Sequence, residues 1–174
     1  CSNENKSDIA VINLKCNNLE NPCGTGSMPV FSWIIISENR DAAQSAYQII
    51  LDSCDNKLLY ENSCLWNSGK IAISNTSWIS YSGPELISGT KYFWKVRVWD
   101  RKDNPSNFSK SAYFITGLFE KNDWKNAKWI GYEEIPDSLI LVPGVHGNGN
   151  NLGNVALKRT TIPYFRKEFS CIAI

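Results

Sequence analysis

Alternation of apolar and polar residues constrains this 174-residue chain more than any other feature of its sequence. In VFSWIII (30–36), Phe31, Trp33 and Ile35 fall on one face of an extended chain. Similar short segments, separated by turn residues, are IAVINLK (9–15), AYQIILD (46–52), LWNSGKI (65–71), TSWISYSG (76–83), TKYFWKVRVWD (90–100) and KSAYFIT (110–116). Seven such strands without a convincing helical pattern predict an all-β fold, an antiparallel sandwich.

The start of the longest strand narrows the prediction to one kind of sandwich. In LISGTKY (86–92), a leucine precedes Tyr92 by six residues. Fibronectin type III and related immunoglobulin-like sandwiches carry a tyrosine corner at this place, where the hydroxyl bonds to upstream backbone. Trp33 also suits the core of such a domain. Residues 9–118 therefore resemble a fibronectin type III-like domain, with Tyr92 as its structural corner residue.

The longest strand also predicts a surface. If Tyr92 faces the core, then Trp94, Val96 and Val98 do so too, because side chains alternate along a strand. The residues between them form an outer row: Phe93, Lys95, Arg97 and Trp99. Contiguous apolar patches mark interfaces, and exposed rings also stack on sugars. We predict an interdomain contact surface at the outer row, with a carbohydrate-contact surface as the alternative.

The same alternation predicts the direction of other apolar residues. Ile34 and Ile36 point away from Trp33 and add to the apolar outer faces. Trp66 and Trp78 lie in short strand segments, and we predict that both pack within the sandwich or its hairpins.

The cysteine pattern argues against a metal site. The six cysteines form no CxxC pair, and His146 is the only histidine. A zinc site needs clustered sulfur and nitrogen ligands, so we predict no metal and no cofactor. Cys54 and Cys64 flank a polar loop and are candidates for a disulfide if the chain is exported.

Cys1 raises a question about localisation. The chain begins CSNENKSD, and mature bacterial lipoproteins begin similarly, with an acylated cysteine and a polar tether. A signal peptide would already have been removed. We expect residues 1–8 to be a tether lipidated at Cys1, on an exported protein in the periplasm or at the outer-membrane surface of a Gram-negative bacterium.

Composition excludes two classes of partner. The chain is 43% hydrophobic and 20% charged, with a net charge of +1. Proteins that bind nucleic acid usually concentrate basic residues on one face, and here they are scattered, so we predict no nucleic-acid partner. No apolar run approaches the roughly 18–20 residues of a membrane helix. Membrane contact is therefore expected only through the lipid anchor.

The composition changes after Gly117. Residues 119–174 contain a linker with Trp124 and Trp129, a Gly/Asn-rich loop and a strand-like end at 164–174. Since a lone strand is marginal in water, we interpret this end as the first strand of a truncated second β domain. Glu133-Glu134 and His146 lie in no recognisable catalytic pattern, so we predict no catalytic residues.

Several motifs in a fixed order carry a family resemblance. They are NLKCNNLENPCGTGSMPVFSW (13–33), SAYQIILD (45–52), LWNSGKI (65–71), TKYFWKVRVWD (90–100), FITGL (114–118), DWKNAKWIG (123–131) and FRKEF (165–169). This string resembles the N-terminal region of bacterial α-L-rhamnosidases. The resemblance implies a fibronectin-like domain, jelly-roll domains and a helical barrel that bears the catalytic carboxylates of an inverting glycosidase.

This barrel is not among the 174 residues, so the segment alone is expected to be inactive. The resemblance implies a non-catalytic module that acts in packing and spacing, with later domains of the same polypeptide as partners. The substrate of the whole enzyme would be a rhamnose-containing glycan with terminal α-L-rhamnosides. The alternative is a free-standing carbohydrate-binding or adhesion module on the cell surface.

Overall fold

The structure, a computed structural model, describes residues 6–61, 63–129 and 166. The chain divides into two compact units, Cys1–Asn126 and Ala127–Ile174. The first unit contains every strand of the described residues. Several sequence predictions lie outside the described residues: Cys1, Glu133, Glu134, His146, the Gly/Asn-rich loop and the strand at 164–174.

Eight strands form within the described residues. They are β1 (Ala10–Cys16), β2 (Cys23–Thr25), β3 (Val30–Ile36), β4 (Ala46–Asp52), β5 (Trp66–Asn67), β6 (Ile79–Ser80), β7 (Lys91–Trp99) and β8 (Ala112–Thr116). Two short 3₁₀ helices accompany them, at Asp55–Leu59 and Lys121–Trp124. Each of the seven predicted segments overlaps one strand, although β5 and β6 have only two residues each.

The strands form two sheets, which confirms the predicted all-β, immunoglobulin-like sandwich. A three-stranded sheet has the order β1-β3-β6, and a five-stranded sheet has the order β2-β8-β7-β4-β5. Most neighbours are antiparallel, but β2 runs parallel to β8. The sequence did not predict β2, because Cys-Gly-Thr is too short to show alternation. Backbone groups on β8 hold it in place, including Ile115 O, which accepts a bond from Thr25 Oγ1 at 3.1 Å.

Aromatic rings fill the space between the sheets. Phe31 and Trp94 are fully buried, and their ring centroids are 4.4 Å apart. Tyr92 packs on Phe114 with centroids at 5.6 Å. Burying a large apolar side chain contributes roughly 1.5–3 kcal/mol, so these rings dominate the stability of the fold. The predicted inward positions on β7 are confirmed: Tyr92, Trp94, Val96 and Val98 are all buried.

The Tyr92 hydroxyl makes the backbone contact that a tyrosine corner requires. It accepts a hydrogen bond from the backbone N–H of Ile87 at 2.8 Å. Ile87 lies five residues upstream, in the loop that leads into β7. The bond fixes the path of the chain as it passes from the three-stranded sheet to the five-stranded sheet.

Candidate interaction surfaces

The outer row lies on β7, between β4 and β8. Phe93, Lys95 and Arg97 are half-buried, and Trp99 is only 9% exposed. The neighbouring strand β4 is buried at every position, including Gln48 and Ile50 on the same face as the outer row. The outer row therefore points away from the core as predicted, but it is not an open surface.

The chain itself covers this face. The 3₁₀ helix at Asp55–Leu59 follows β4 and packs on both β4 and β7, with Leu58 buried beneath it. Asp52, the last residue of β4, is buried. Its side chain accepts hydrogen bonds from the backbone N–H groups of Cys54 and Leu65, at 2.9 Å and 2.8 Å. These bonds fold the connection between β4 and β5 back over the sheet.

Arg97 is enclosed on this covered face. Its guanidinium carbon lies 5.1 Å from the ring centroid of Trp99 and 4.8 Å from that of Phe108. Arg97 also donates to Gln48 Oε1 at 2.7 Å and to Glu61 Oε2 at 2.9 Å. Cation–π contacts with charge-assisted bonds hold the side chain in one orientation, so this cation is already engaged within the domain.

The other end of the outer row is organised in the same way. The Lys91 Nζ atom lies 3.9 Å from the ring centroid of Tyr113 and 4.8 Å from that of Phe93. The two rings are themselves 6.2 Å apart. The Lys91 ammonium group thus already makes favourable cation–π contacts within the domain.

The expectation that Trp99 offers an open ring to a sugar or a neighbouring domain is wrong. Lys70 Nζ lies 5.0 Å from its ring centroid, in addition to Arg97. The physical reason is that Lys70, from the connection between β5 and β6, and Arg97, on β7 itself, both lie over the ring. Alternation along β7 shows which way a side chain points, but it does not show which distant loop packs on it.

The two other tryptophans have different environments. Trp66 packs on Tyr81 with centroids at 4.7 Å and on Phe31 at 6.4 Å, which confirms the predicted internal packing. Trp78 is 76% exposed, so the same prediction is wrong there. Its backbone has φ of 59°, a left-handed conformation that bulky residues rarely adopt. This twist comes just before β6, where Ile79 turns into the core instead.

Cys54 and Cys64 are free thiols in this structure, and their pairing on export stays a prediction from the sequence. The Cys64 thiol donates to the carbonyl oxygens of Glu61 and Trp66, each at 3.2 Å, and so faces its own loop. Cys54 is exposed at the start of the 3₁₀ helix. A third thiol, Cys16, is buried in the core, and burial raises its pKa to about 12.

An apolar ladder lies on the outer face of the three-stranded sheet. Ile12 on β1 is paired with Ile34 on β3, and Ile36 is the next outward residue of β3. All three isoleucines are exposed. The sequence indicated Ile34 and Ile36 but not Ile12, because a register shift between Ile12 and Lys15 interrupts the alternation of β1.

One end of the sandwich is strongly charged. There, Asp8 Oδ2 accepts bonds from Ser37 Oγ at 2.5 Å and from Asn39 Nδ2 at 2.8 Å. The bond from Ser37 is the main reason that the pKa of Asp8 is lowered. Asp100 similarly accepts bonds from the backbone N–H groups of Lys102 and Asn104. These carboxylates organise loops.

The described residues contain neither a metal-binding cluster nor a membrane-spanning helix. No group of three or more His, Cys, Asp or Glu side chains there could hold a metal ion. Nor is any helix in residues 6–61 and 63–129 long and apolar enough to cross a membrane.

Comparison with known proteins connects this fold to one group of enzymes. An α-L-rhamnosidase of Formosa agariphila is 43% identical over 102 residues, which cover 59% of this chain and 11% of that protein. The solved α-L-rhamnosidase from Dictyoglumus thermophilum superposes with a TM-score of 0.66 at 39% identity, over 72% of this chain and 14% of that one.

The Streptomyces avermitilis α-L-rhamnosidase, solved in complex with L-rhamnose, superposes with a TM-score of 0.64 at 31% identity. That match covers 67% of this chain and 11% of the other chain. The chain thus spans only a small fraction of the length of these relatives. The family model for the Rha78A-like, N-terminal immunoglobulin domain matches residues 11–120, which is more than half of the sequence. The chain therefore belongs to the family of Rha78A-like N-terminal immunoglobulin domains.

Proposed function

We propose that this chain is the non-catalytic N-terminal module of an exported α-L-rhamnosidase. One observation carries the proposal: this chain, which matches the immunoglobulin-domain family model over residues 11–120, is 43% identical over 102 residues to a protein named α-L-rhamnosidase, and that stretch is 11% of the Formosa protein. The remaining length of such an enzyme is where its catalytic residues would lie. The whole polypeptide would hydrolyse terminal α-L-rhamnosides of glycans.

The carboxylates beside the outer row support a non-catalytic role. Inverting glycosidases hold two carboxyl groups about 6.5–9.5 Å apart across the bond that they cleave, with room for a water. Here Asp52 is buried and bonded to backbone N–H groups, while Glu61 is paired with Arg97 at 2.9 Å. Both groups therefore hold the covering segment in place and are already engaged in bonds within the domain.

We place the function of the module in packing against later domains of the same polypeptide and in spacing them. The exposed apolar side chains of the sandwich support this role, because large exposed apolar patches mark interaction sites. The alternative, a free-standing carbohydrate-binding module, is less well supported. The Trp99 ring that was expected to stack on a sugar is covered by Arg97 and Lys70. Export and lipidation of Cys1 stay predictions from the sequence.

The decisive experiment is to read the native reading frame beyond codon 174 and to express the whole polypeptide. We expect it to run on into a domain with paired carboxylates and to release rhamnose from an aryl α-L-rhamnoside. Inversion predicts that the β-anomer appears first, which proton NMR detects. The 174-residue chain is the matched control and should release nothing. A frame that stops at once, or a whole polypeptide without rhamnosidase activity, contradicts the proposal.

A further inference from the structure

Three loops come together at the end of the sandwich where the described chain leaves β8. They are residues 26–29, residues 84–90 and residues 117–119, which we call the exit end. Gly117 N donates to Thr25 O at 2.8 Å, and Gly89 N donates to Gly117 O at 3.0 Å. Thr116 Oγ1 also donates to Ile87 O at 2.6 Å. These bonds join the loops at 84–90 and 117–119 to each other and to Thr25, the last residue of β2, after which the loop at 26–29 begins.

Each loop of the exit end presents one large apolar side chain to solvent. Met28 is 70% exposed, Ile87 is 68% exposed and Leu118 is 43% exposed. A methyl group added at Gly89 would lie 3.5 Å from Leu118 Cδ2, so Leu118 covers the loop that contains Ile87. The only charged residue in these three loops is Glu85. The three loops themselves are thus apolar and almost uncharged, while the carboxylate of Asp123 lies beside them, bonded to Ser88.

The opposite end has the reverse character. It consists of residues 6–8, 37–45 and 100–105, and its charged residues are Lys6, Asp8, Glu38, Arg40, Asp41, Asp100, Arg101, Lys102 and Asp103. None of the exposed large hydrophobic side chains of the described residues lies there. The loops at the charged end therefore fold without exposed apolar side chains. The exposed apolar side chains of the exit end are thus candidates for contact with a partner.

The segment that leaves the sandwich is tied to the exit end. Asp123 Oδ2 accepts bonds from Phe119 N at 3.1 Å, Glu120 N at 2.9 Å and Ser88 Oγ at 2.7 Å. The chain is therefore held against the loop of Ile87 as far as the second 3₁₀ helix. The segment after β8 thus begins beside the loop that contains Ile87.

We propose that Met28, Ile87 and Leu118 form a docking surface for a later domain of the same polypeptide, beyond residue 174. This inference rests on the proposed function, which supplies that later domain. Three side chains are too few for a stable complex between separate molecules, which buries about 1,200–2,000 Å². They suffice for a domain that is covalently linked, because a tether turns docking into an intramolecular step with a high effective concentration.

The test compares hydrogen exchange in the 174-residue chain and in the whole polypeptide. We expect the amides of residues 26–29, 84–90 and 117–119 to exchange about tenfold or more slowly in the whole polypeptide, because docking shields them. The triple variant Met28→Ser, Ile87→Ser, Leu118→Ser should lose this difference. The matched control is the triple variant Ile12→Ser, Ile34→Ser, Ile36→Ser, which removes the apolar ladder on the three-stranded sheet. This variant should retain the difference in hydrogen exchange between the two chains.

Every outcome of this test is informative. Equal exchange of the three loops in both chains overturns the docking surface, even when the whole polypeptide hydrolyses rhamnosides. Protection of the ladder instead of the exit end also overturns the docking surface, because another face would then be the contact. Protection that rises with protein concentration overturns it as well, because a second copy of the chain would then be the partner. Protection of the exit end in a polypeptide without rhamnosidase activity leaves the docking surface standing and removes only the proposed function. Circular dichroism of both triple variants checks that the sandwich still folds.

Discussion

The Ser88 hydroxyl donates to Asp123 Oδ2 at 2.7 Å and so joins the loop before β7 to the segment after β8. The same carboxylate accepts bonds from backbone N–H groups of Phe119 and Glu120. The backbone bond from Glu120, followed by the bond from Ser88, lowers the pKa of Asp123 below its ordinary value of 3.8. Hydrogen bonds to a carboxylate favour its charged form, which accounts for this direction.

Ser88→Ala should raise the pKa of Asp123 toward 3.8, since it removes one of the bonds that stabilise the carboxylate. Because the folded pKa lies below the unfolded value, the stabilisation is present above pH 3.8 and is lost as the pH falls through the folded pKa. A carbon-13 NMR titration of the Asp123 carboxyl group measures the shift. Ser77→Ala, in an exposed loop, is the control. An unchanged Asp123 pKa in Ser88→Ala would contradict the bond.

Trp99→Ala should lower the free energy of unfolding by about 3 kcal/mol, because it removes a buried ring and leaves a cavity. It also removes the ring on which Arg97 and Lys70 lie. Trp78→Ala is the matched control: its ring is 76% exposed, and surface substitutions usually change stability by less than about 0.5 kcal/mol. Urea unfolding measures both. Equal losses in the two variants would show that Trp99 is not covered in solution.

The sequence predicted the strands of the sandwich because their periodicity is local. It predicted the inward positions of β7, since one anchored residue, Tyr92, determines the direction of all its neighbours. It could not predict that Trp99 is covered, because that depends on contacts with Arg97 and Lys70, and Lys70 comes from a distant loop. The exposed end formed by Met28, Ile87 and Leu118 was also missed. Those residues lie far apart in the chain, on loops that the strand order brings to the same end of the sandwich.

Cys16 should resist alkylation in the native chain. Burial raises its pKa to about 12, so very little reactive thiolate forms near neutral pH, and the side chain is also shielded from reagent. Cys23 and Cys54 are exposed free thiols and serve as internal controls. Iodoacetamide followed by peptide mass spectrometry should label these two first and Cys16 only after unfolding in urea. Labelling of Cys16 at the rate of Cys23 would contradict the buried position.

Tyr92→Phe should lower the free energy of unfolding by about 1 kcal/mol or more, because the N–H of Ile87 loses its hydrogen-bond acceptor. The ring can still stack on Phe114 at 5.6 Å, so the variant separates the bond from the packing. Tyr113→Phe is the control, since that ring lies on the outer face of the five-stranded sheet beside Phe93 and Lys91. Urea unfolding of the 174-residue chain provides the comparison. If both variants were as stable as the wild type, water would replace the Tyr92 hydroxyl without cost, and the corner would not contribute to the stability of the sandwich.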